Sequence, residues 1–100
     1  MSKLFVVQYG AKWCSPCRQL KEVLPNICTE LGAEYIYKDI DEKQNMEESC
    51  KLEIRSVPAT YIYSANSIEE INKDVTVGIK GKILGYNSKE EFYTLIKNSL

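Results

Sequence analysis

Residues 3–9, KLFVVQY, form a short apolar run rich in β-branched and aromatic side chains, the pattern of a buried strand. Gly10 breaks the run, and the period then changes. Leu20, Leu24, Ile27 and Leu31 recur at helical spacing, and Gly32 stands where a helix C-cap belongs. Pro16 suits the first turn of that helix, where its missing N–H costs nothing, whereas Pro25 sits inside it and is expected to kink it. Residues 34–40, EYIYKDI, predict a second strand, with Lys38, Asp39 and Asp41 at its solvated end. Residues 42–53 are polar and helix-favouring, and place Met46 and Cys50 four apart on one face. Ser56-Val57-Pro58-Ala59 interrupts the pattern, and Thr60-Tyr61-Ile62-Tyr63 predicts a third strand. Ser64 to Asp74 is polar and predicts a loop with one short turn. Val75, Val77 and Ile79 alternate as in a strand, which continues through Lys82-Ile83-Leu84. Ser88 followed by Glu91 is a capping box, opening a last helix with Phe92, Leu95 and Ile96 on its apolar face.

The predicted order is β-α-β-α-β-β-α. Two strands joined through a helix pair in parallel with a right-handed crossover, while the late strands close as a hairpin. The fold class is therefore α/β, a central mixed sheet flanked by helices. One hundred residues with 44% hydrophobic content suit a single domain over 1–100.

Charge narrows the partners only a little. Thirteen basic and fourteen acidic residues give a net charge of −1, and no long run of either sign offers a nucleic-acid or membrane surface. The apolar run Leu4 to Val7 is too short for a signal-peptide core or a membrane span, so a cytoplasmic, reducing location is the expectation. There, four cysteines at irregular spacing do not read as a disulfide framework. The chain has no His, which removes His-based acid–base catalysis and every mixed Cys/His zinc pattern.

The candidate chemistry lies in Trp13-Cys14-Ser15-Pro16-Cys17-Arg18, between the first strand and its helix. Spacing alone leaves Cys14 and Cys17 open to three readings: a redox pair, half of a metal site, or buried apolar residues. Position favours the first. A cysteine at a helix N-terminus faces unpaired backbone N–H groups and the positive end of the helix dipole, which favour its thiolate. Cys17, one turn further in, can attack a mixed disulfide formed at Cys14. Cys28 and Cys50 sit near the apolar faces of their helices and read as core packing. Four of the seven tyrosines (Tyr35, Tyr37, Tyr61 and Tyr63) fall in strands and also read as packing.

WCSPC resembles the WCGPC active site of the thioredoxin family, Val57-Pro58 resembles its residue-plus-cis-proline element, and Gly85 resembles the glycine before its last helix. With the element order, the likeness spans essentially the whole chain. It implies a thioredoxin-like fold and a protein dithiol–disulfide oxidoreductase, with Cys14 as nucleophile and Cys17 as resolving thiol. It implies that Trp13 shields the site, that Val57 beside a cis Pro58 pairs with a substrate strand, and that Gly85 leaves room for that strand. No cofactor or metal is implied beyond a reversible Cys14–Cys17 disulfide. The partners implied are disulfide-containing proteins and a thioredoxin-reductase-type electron donor, acting on a monomer.

The sequence departs from the family in three places. The family's buried acid aligns with Gln8, and its nearby lysine with Tyr37. The chain starts at the central strand, lacking the N-terminal β-α unit. The segment from Pro58 to Gly85 is longer than usual. The short N-terminal side is similar to the glutaredoxin-like core, so a glutathione-linked reductase is one alternative, although the C-P-Y-C pattern is missing. A binding module that recruits a partner through the same surface is another, and a four-cysteine zinc site a third.

Overall fold

The computed structural model describes residues 2–100. Its elements run β1 (Lys3–Gly10), α1 (Ser15–Leu31), β2 (Glu34–Asp39), α2 (Lys43–Lys51), β3 (Ala59–Ala65), α3 (Ile68–Lys73), β4 (Ile79–Leu84) and α4 (Lys89–Asn98). The sheet order is β2-β1-β3-β4. β1 pairs with β2 in parallel and with β3 antiparallel, and β3 pairs with β4 antiparallel. The mixed α/β sheet predicted from the hydrophobic pattern is therefore present.

Alternation along β1 divides the interior in two. Leu4 and Val6 join Leu20, Leu24, Ile27 and Cys28 of α1 and Phe92 and Ile96 of α4 on one face. Phe5, Val7 and Tyr9 join Tyr61 and Tyr63 of β3 and Ile71 of α3 on the other. Each face buries enough apolar surface to hold its helices, as the two-residue period of a strand requires. Gly32 caps α1 with φ 75°, returning N–H groups to the carbonyls left free at the helix end. Ser88 accepts the Glu91 N–H at 3.3 Å, so the expected cap of α4 forms.

Three local expectations are corrected. The segment after β3 carries α3, which adds a helix to the predicted order and takes up part of the extra length before Gly85. Ser67 caps it by accepting the Glu70 N–H at 3.3 Å, and Ile68 and Ile71 turn towards the second core. The Ser67…Glu70 spacing before an isoleucine pair was the available signal. Next, the strand expected from Val75 begins only at Ile79. Asp74 Oδ1 accepts from the Thr76 N–H and hydroxyl, at 3.0 and 2.6 Å, and this turn takes Val75 out of the ladder. Gly78 then passes close to β3: it has φ 85°, and a Cβ there would stand 3.0 Å from the Ser64 carbonyl oxygen.

The third correction concerns α2. Met46 and Cys50 do not form its inner face, and Cys50 is exposed. The helix instead turns Glu48 and Ser49 inward. Glu48 meets Lys38, which is buried (7% exposed) rather than solvated, and their ion pair spans 2.6 Å. Tyr9 donates its hydroxyl to the same Glu48 oxygen at 2.8 Å, and Lys38 also donates to Asn72 Oδ1 at 2.7 Å. Lys38 and Tyr9 both meet Glu48 through its Oε1, and these partners let α2 turn a carboxylate, in place of an apolar face, towards the sheet.

Candidate active site

β1 delivers the chain to the sheet's end, where Ala11 is buried and Trp13 stands 68% exposed. Cys14 is the N-cap of α1: its backbone is extended (φ −99°, ψ 108°), and its Sγ accepts the Cys17 N–H at 3.2 Å. Pro16 follows in the first turn, where its lack of an N–H leaves no bond unmade. Cys14 and Cys17 are joined as a disulfide with Cα atoms 5.2 Å apart. Cys17 is fully buried, and Cys14 is the sulfur nearer the surface. The two thiols are thus unequal by position. One can meet a partner, and the other can meet only the first.

The α2–β3 loop closes over this pair. The Val57–Pro58 peptide is cis, and the Val57 carbonyl oxygen lies 3.6 Å from Cys14 Sγ. Val57 packs against Ala11, Cys14 and Cys17. The Gly85 N–H donates to the Pro58 carbonyl at 2.8 Å, which brings the end of β4 to the same rim. Gly85 has φ 83°, and a Cβ there would meet nothing within 4 Å, so its conformation asks for glycine while the space above it stays open. Cys14, Cys17, Val57, Pro58 and Gly85, far apart in sequence, are thus linked by direct contacts and hydrogen bonds, and Trp13 stands exposed next to Cys14 in the chain.

Beneath the site lies an uncharged network. Gln8 is fully buried in β1; its Nε2 donates to the Cys17 carbonyl at 3.0 Å, and its Oε1 accepts the Tyr35 hydroxyl at 2.7 Å. Thr60 faces Gln8 across the β1–β3 ladder, and its buried hydroxyl has no protein partner among the described residues. Burial also raises the Tyr35 hydroxyl above its ordinary pKa. No group in this network is charged at neutral pH. Gln8 is thus a core amide with both its ends hydrogen-bonded, set against the first turn of α1.

The other two cysteines stay apart from the pair. Cys28 is buried in the α1–α4 core, where desolvation pushes its thiol up to about 12, and Cys50 is on the surface of α2. Among the described residues, no group of three or more His, Cys, Asp or Glu side chains is arranged to hold a metal ion.

A cysteine pair at a helix N-terminus, unequal in exposure and faced by a cis-proline loop, is the arrangement of a thiol–disulfide exchange site. The thioredoxin family model matches residues 1–97, and the chain belongs to that family. Thioredoxin of Chlamydia pneumoniae is 34% identical over 83 residues, covering 81% of this chain and 74% of the relative. Thioredoxin of Gallus gallus is 31% identical over 62 residues, which cover 61% of this chain and only 57% of the relative's length. Among solved structures, a mutant thioredoxin of Halobacterium salinarum NRC-1 superposes with TM-score 0.77 at 18% identity, over 97% of this chain and 74% of that one. Mitochondrial thioredoxin 3 of Saccharomyces cerevisiae, in its oxidized form, superposes with TM-score 0.75 at 19% identity, over 98% and 80%.

Proposed function

We propose that this protein is a dithiol–disulfide oxidoreductase that reduces disulfides of protein substrates. The observation that carries the reading is the inequality of Cys14 and Cys17 at the N-terminus of α1, beside the cis Val57–Pro58 peptide. In the reduced form, the Cys14 thiolate attacks one sulfur of the target disulfide. A Cys14–target disulfide forms and the first target thiolate leaves. Cys17 then loses its proton and attacks Cys14 Sγ, the mixed disulfide breaks, and the second target thiolate leaves. Two electrons and the Cys17 proton pass to the target, solvent supplies the second proton, and Cys14–Cys17 is left as a disulfide. A reductase returns the two electrons. No cofactor enters the exchange itself.

In this reading, Trp13, Val57, Pro58 and Gly85 form the binding surface. A substrate strand lies along the Val57 backbone, and the space over Gly85 accommodates it. The work suits a reducing, cytoplasmic setting, with a thioredoxin-reductase-type donor docking on the same surface. With no acid beneath Cys17, its proton goes to the departing target thiolate, which is close by at the moment it forms.

Insulin-disulfide reduction with pre-reduced protein tests the reading. Cys14→Ser should fall to the uncatalysed rate, and Cys17→Ser should accumulate a mixed disulfide that mass spectrometry detects. Full activity in Cys14→Ser would overturn it.

A further inference from the structure

On the β2 flank of the dithiol, across β1 from the Val57–Pro58 loop, lies a cavity of about 440 Å³ lined by Lys12, Arg18, Lys21, Tyr37, Asp39 and Glu42. Lys12 lies in the loop that leads to Cys14, Arg18 lies in the first turn of α1 after Cys17, and the two are hydrogen-bonded, so the cavity borders the segment that carries the sulfurs without either sulfur lining it. Its construction is specific. Tyr37 lies so close over Gly10 that a Cβ there would stand 2.7 Å from the tyrosine hydroxyl oxygen. The Lys21 ammonium sits 4.2 Å from the centre of the Tyr37 ring. Arg18 donates to the Lys12 carbonyl, which fixes the guanidinium beside the loop.

Three cations and two carboxylates line this space, yet they do not pair. Lys38–Glu48 is the ion pair found within 4.0 Å among the described residues, and it lies on the opposite face of the sheet. Asp39 is occupied with the Asp41 N–H at 2.9 Å, and Glu42 with the Asn45 amide at 3.3 Å. The carboxylates are thus held by their own turn. Lys12, Arg18 and Lys21 are all exposed and have no carboxylate partner among the described residues. The positive balance is local, because the chain as a whole carries −1.

We propose that this cavity is a specificity subsite that takes an acidic side chain of the protein substrate, close in sequence to the cysteine under attack. The inference rests on the reductase reading above. A substrate strand laid along Val57 crosses Cys14 towards β2, and its residues on the far side of the target cysteine enter the cavity. There a carboxylate meets cations that have no carboxylate partner among the described residues, with Lys21 held in place over the Tyr37 ring. A cationic residue at the same place meets three like charges against two carboxylates already engaged by the Asp41 N–H and the Asn45 amide, and is the less favoured of the two.

The test uses three disulfide-linked peptide dimers, identical except for Glu, Gln or Lys two residues from the cysteine. Single-turnover reduction by pre-reduced protein is expected to run about fivefold faster for the Glu dimer than for the Lys dimer, the factor of a modest surface charge pair, with Gln between. The ratio should shrink at high salt. In Lys12→Gln/Lys21→Gln it should approach one, and in Lys12→Glu/Lys21→Glu it should invert. Equal rates on all three dimers in the parent, or a ratio unmoved by both double variants, overturns the subsite and leaves the reductase reading standing. A parent that reduces none of the dimers overturns the reductase reading itself, and the subsite with it.

Discussion

Gln8 and Tyr9 are neighbours on β1 and point to opposite faces of the sheet, and their surroundings could hardly differ more. On the Gln8 side, beneath Cys17, the buried polar groups are an amide, a phenol and a hydroxyl, all uncharged. On the Tyr9 side, a full ion pair is buried between β2 and α2, tied to β1 by Tyr9 and to α3 by Asn72. The charged cluster stabilises the attachment of two helices that carry no catalytic sulfur. The neutral cluster holds the helix that carries both. Buried charge is kept off the face where a thiol must ionise, so a thiolate at Cys17 meets no buried anion that would raise its energy.

The largest effect should come from breaking the charged side. Lys38→Met leaves Glu48 buried without its cation, and Glu48 Oε2 already lacks a partner among the described residues. Loss of one member of a buried pair costs about 3–5 kcal/mol, so the urea midpoint should drop sharply. Removing both charges in Lys38→Met/Glu48→Leu should recover most of that loss, because two apolar side chains replace two desolvated ions. A single variant as stable as the parent would mean that the pair is solvated, and that the contrast between the faces is false.

On the neutral side, the effects should be smaller and partly catalytic. Gln8→Ala strands the Tyr35 hydroxyl and removes a bond to the Cys17 carbonyl, at a cost of about 1–3 kcal/mol. Gln8→Asp tests the contrast directly, since it puts a buried charge on the face whose buried polar groups are all neutral. Desolvation raises the pKa of the introduced carboxyl. Its penalty is therefore absent below the unfolded value of about 3.9 and grows as pH rises towards the folded one. Above that point it is a base against the first turn of α1, and it should quicken release from the mixed disulfide by at most ~10²-fold. Insulin reduction and urea unfolding, both followed against pH, read the two halves. A variant no faster and no less stable across the range would show that position 8 does not act on Cys17.

Most of this arrangement is legible in the chain. The β1 run, the period change at Gly10 and WCSPC locate the dithiol, and Val57-Pro58 locates what faces it. The polar contacts are less so. Lys38 reads as a solvated strand end because it is charged, although the two-residue period places it on the same face as Ile36 and Ile40. That alternation is the stronger signal. Glu48 cannot be found from α2 alone, since its partner lies on another element and a buried carboxylate looks like any surface glutamate in sequence. The same blindness misassigns Cys50. Once Glu48 and Ser49 turn inward, the next residue, about 100° further round, faces solvent. The cavity formed by Lys12, Arg18 and Lys21 is equally hidden, because it needs β2 to supply Tyr37.

Both faces should show themselves again at alkaline pH, with a slope rather than a step. Cys28 is pushed up to about 12 from its ordinary 9.0, and Tyr35 on the same face is raised, as are Tyr9 and Tyr63 on the other. Burial favours the protonated form of each. The unfolded chain therefore loses these protons first, and the folded state's advantage, whole below about pH 9, declines as pH rises towards the folded values. Each such group contributes about 1.4 kcal/mol per pH unit once the unfolded form is ionised. Urea midpoints between neutral pH and about pH 11 should fall steadily, and Cys28→Ala should flatten the fall by one group's share. A level profile would mean that these hydroxyls and this thiol are open to water.

The smallest effect separates the two remaining cysteines, one on each side of the sheet. In the oxidised protein only Cys28 and Cys50 carry thiols. Cys50 projects from α2 into solvent, and Cys28 is shut in the α1–α4 core with its thiolate strongly disfavoured. Reactivity requires both access and the thiolate. An aromatic disulfide reagent at neutral pH should therefore titrate one thiol promptly and the second only on unfolding, and peptide mapping should find the first label on Cys50. Cys50→Ser should shift stability by no more than about 0.5 kcal/mol, as surface changes do. Cys28→Ser, which buries a hydroxyl among Leu24, Ile27 and Phe92, should cost about 1–3 kcal/mol. Prompt labelling of both thiols would place Cys28 at the surface, and the core assigned to the Gln8 face would have to be redrawn around it.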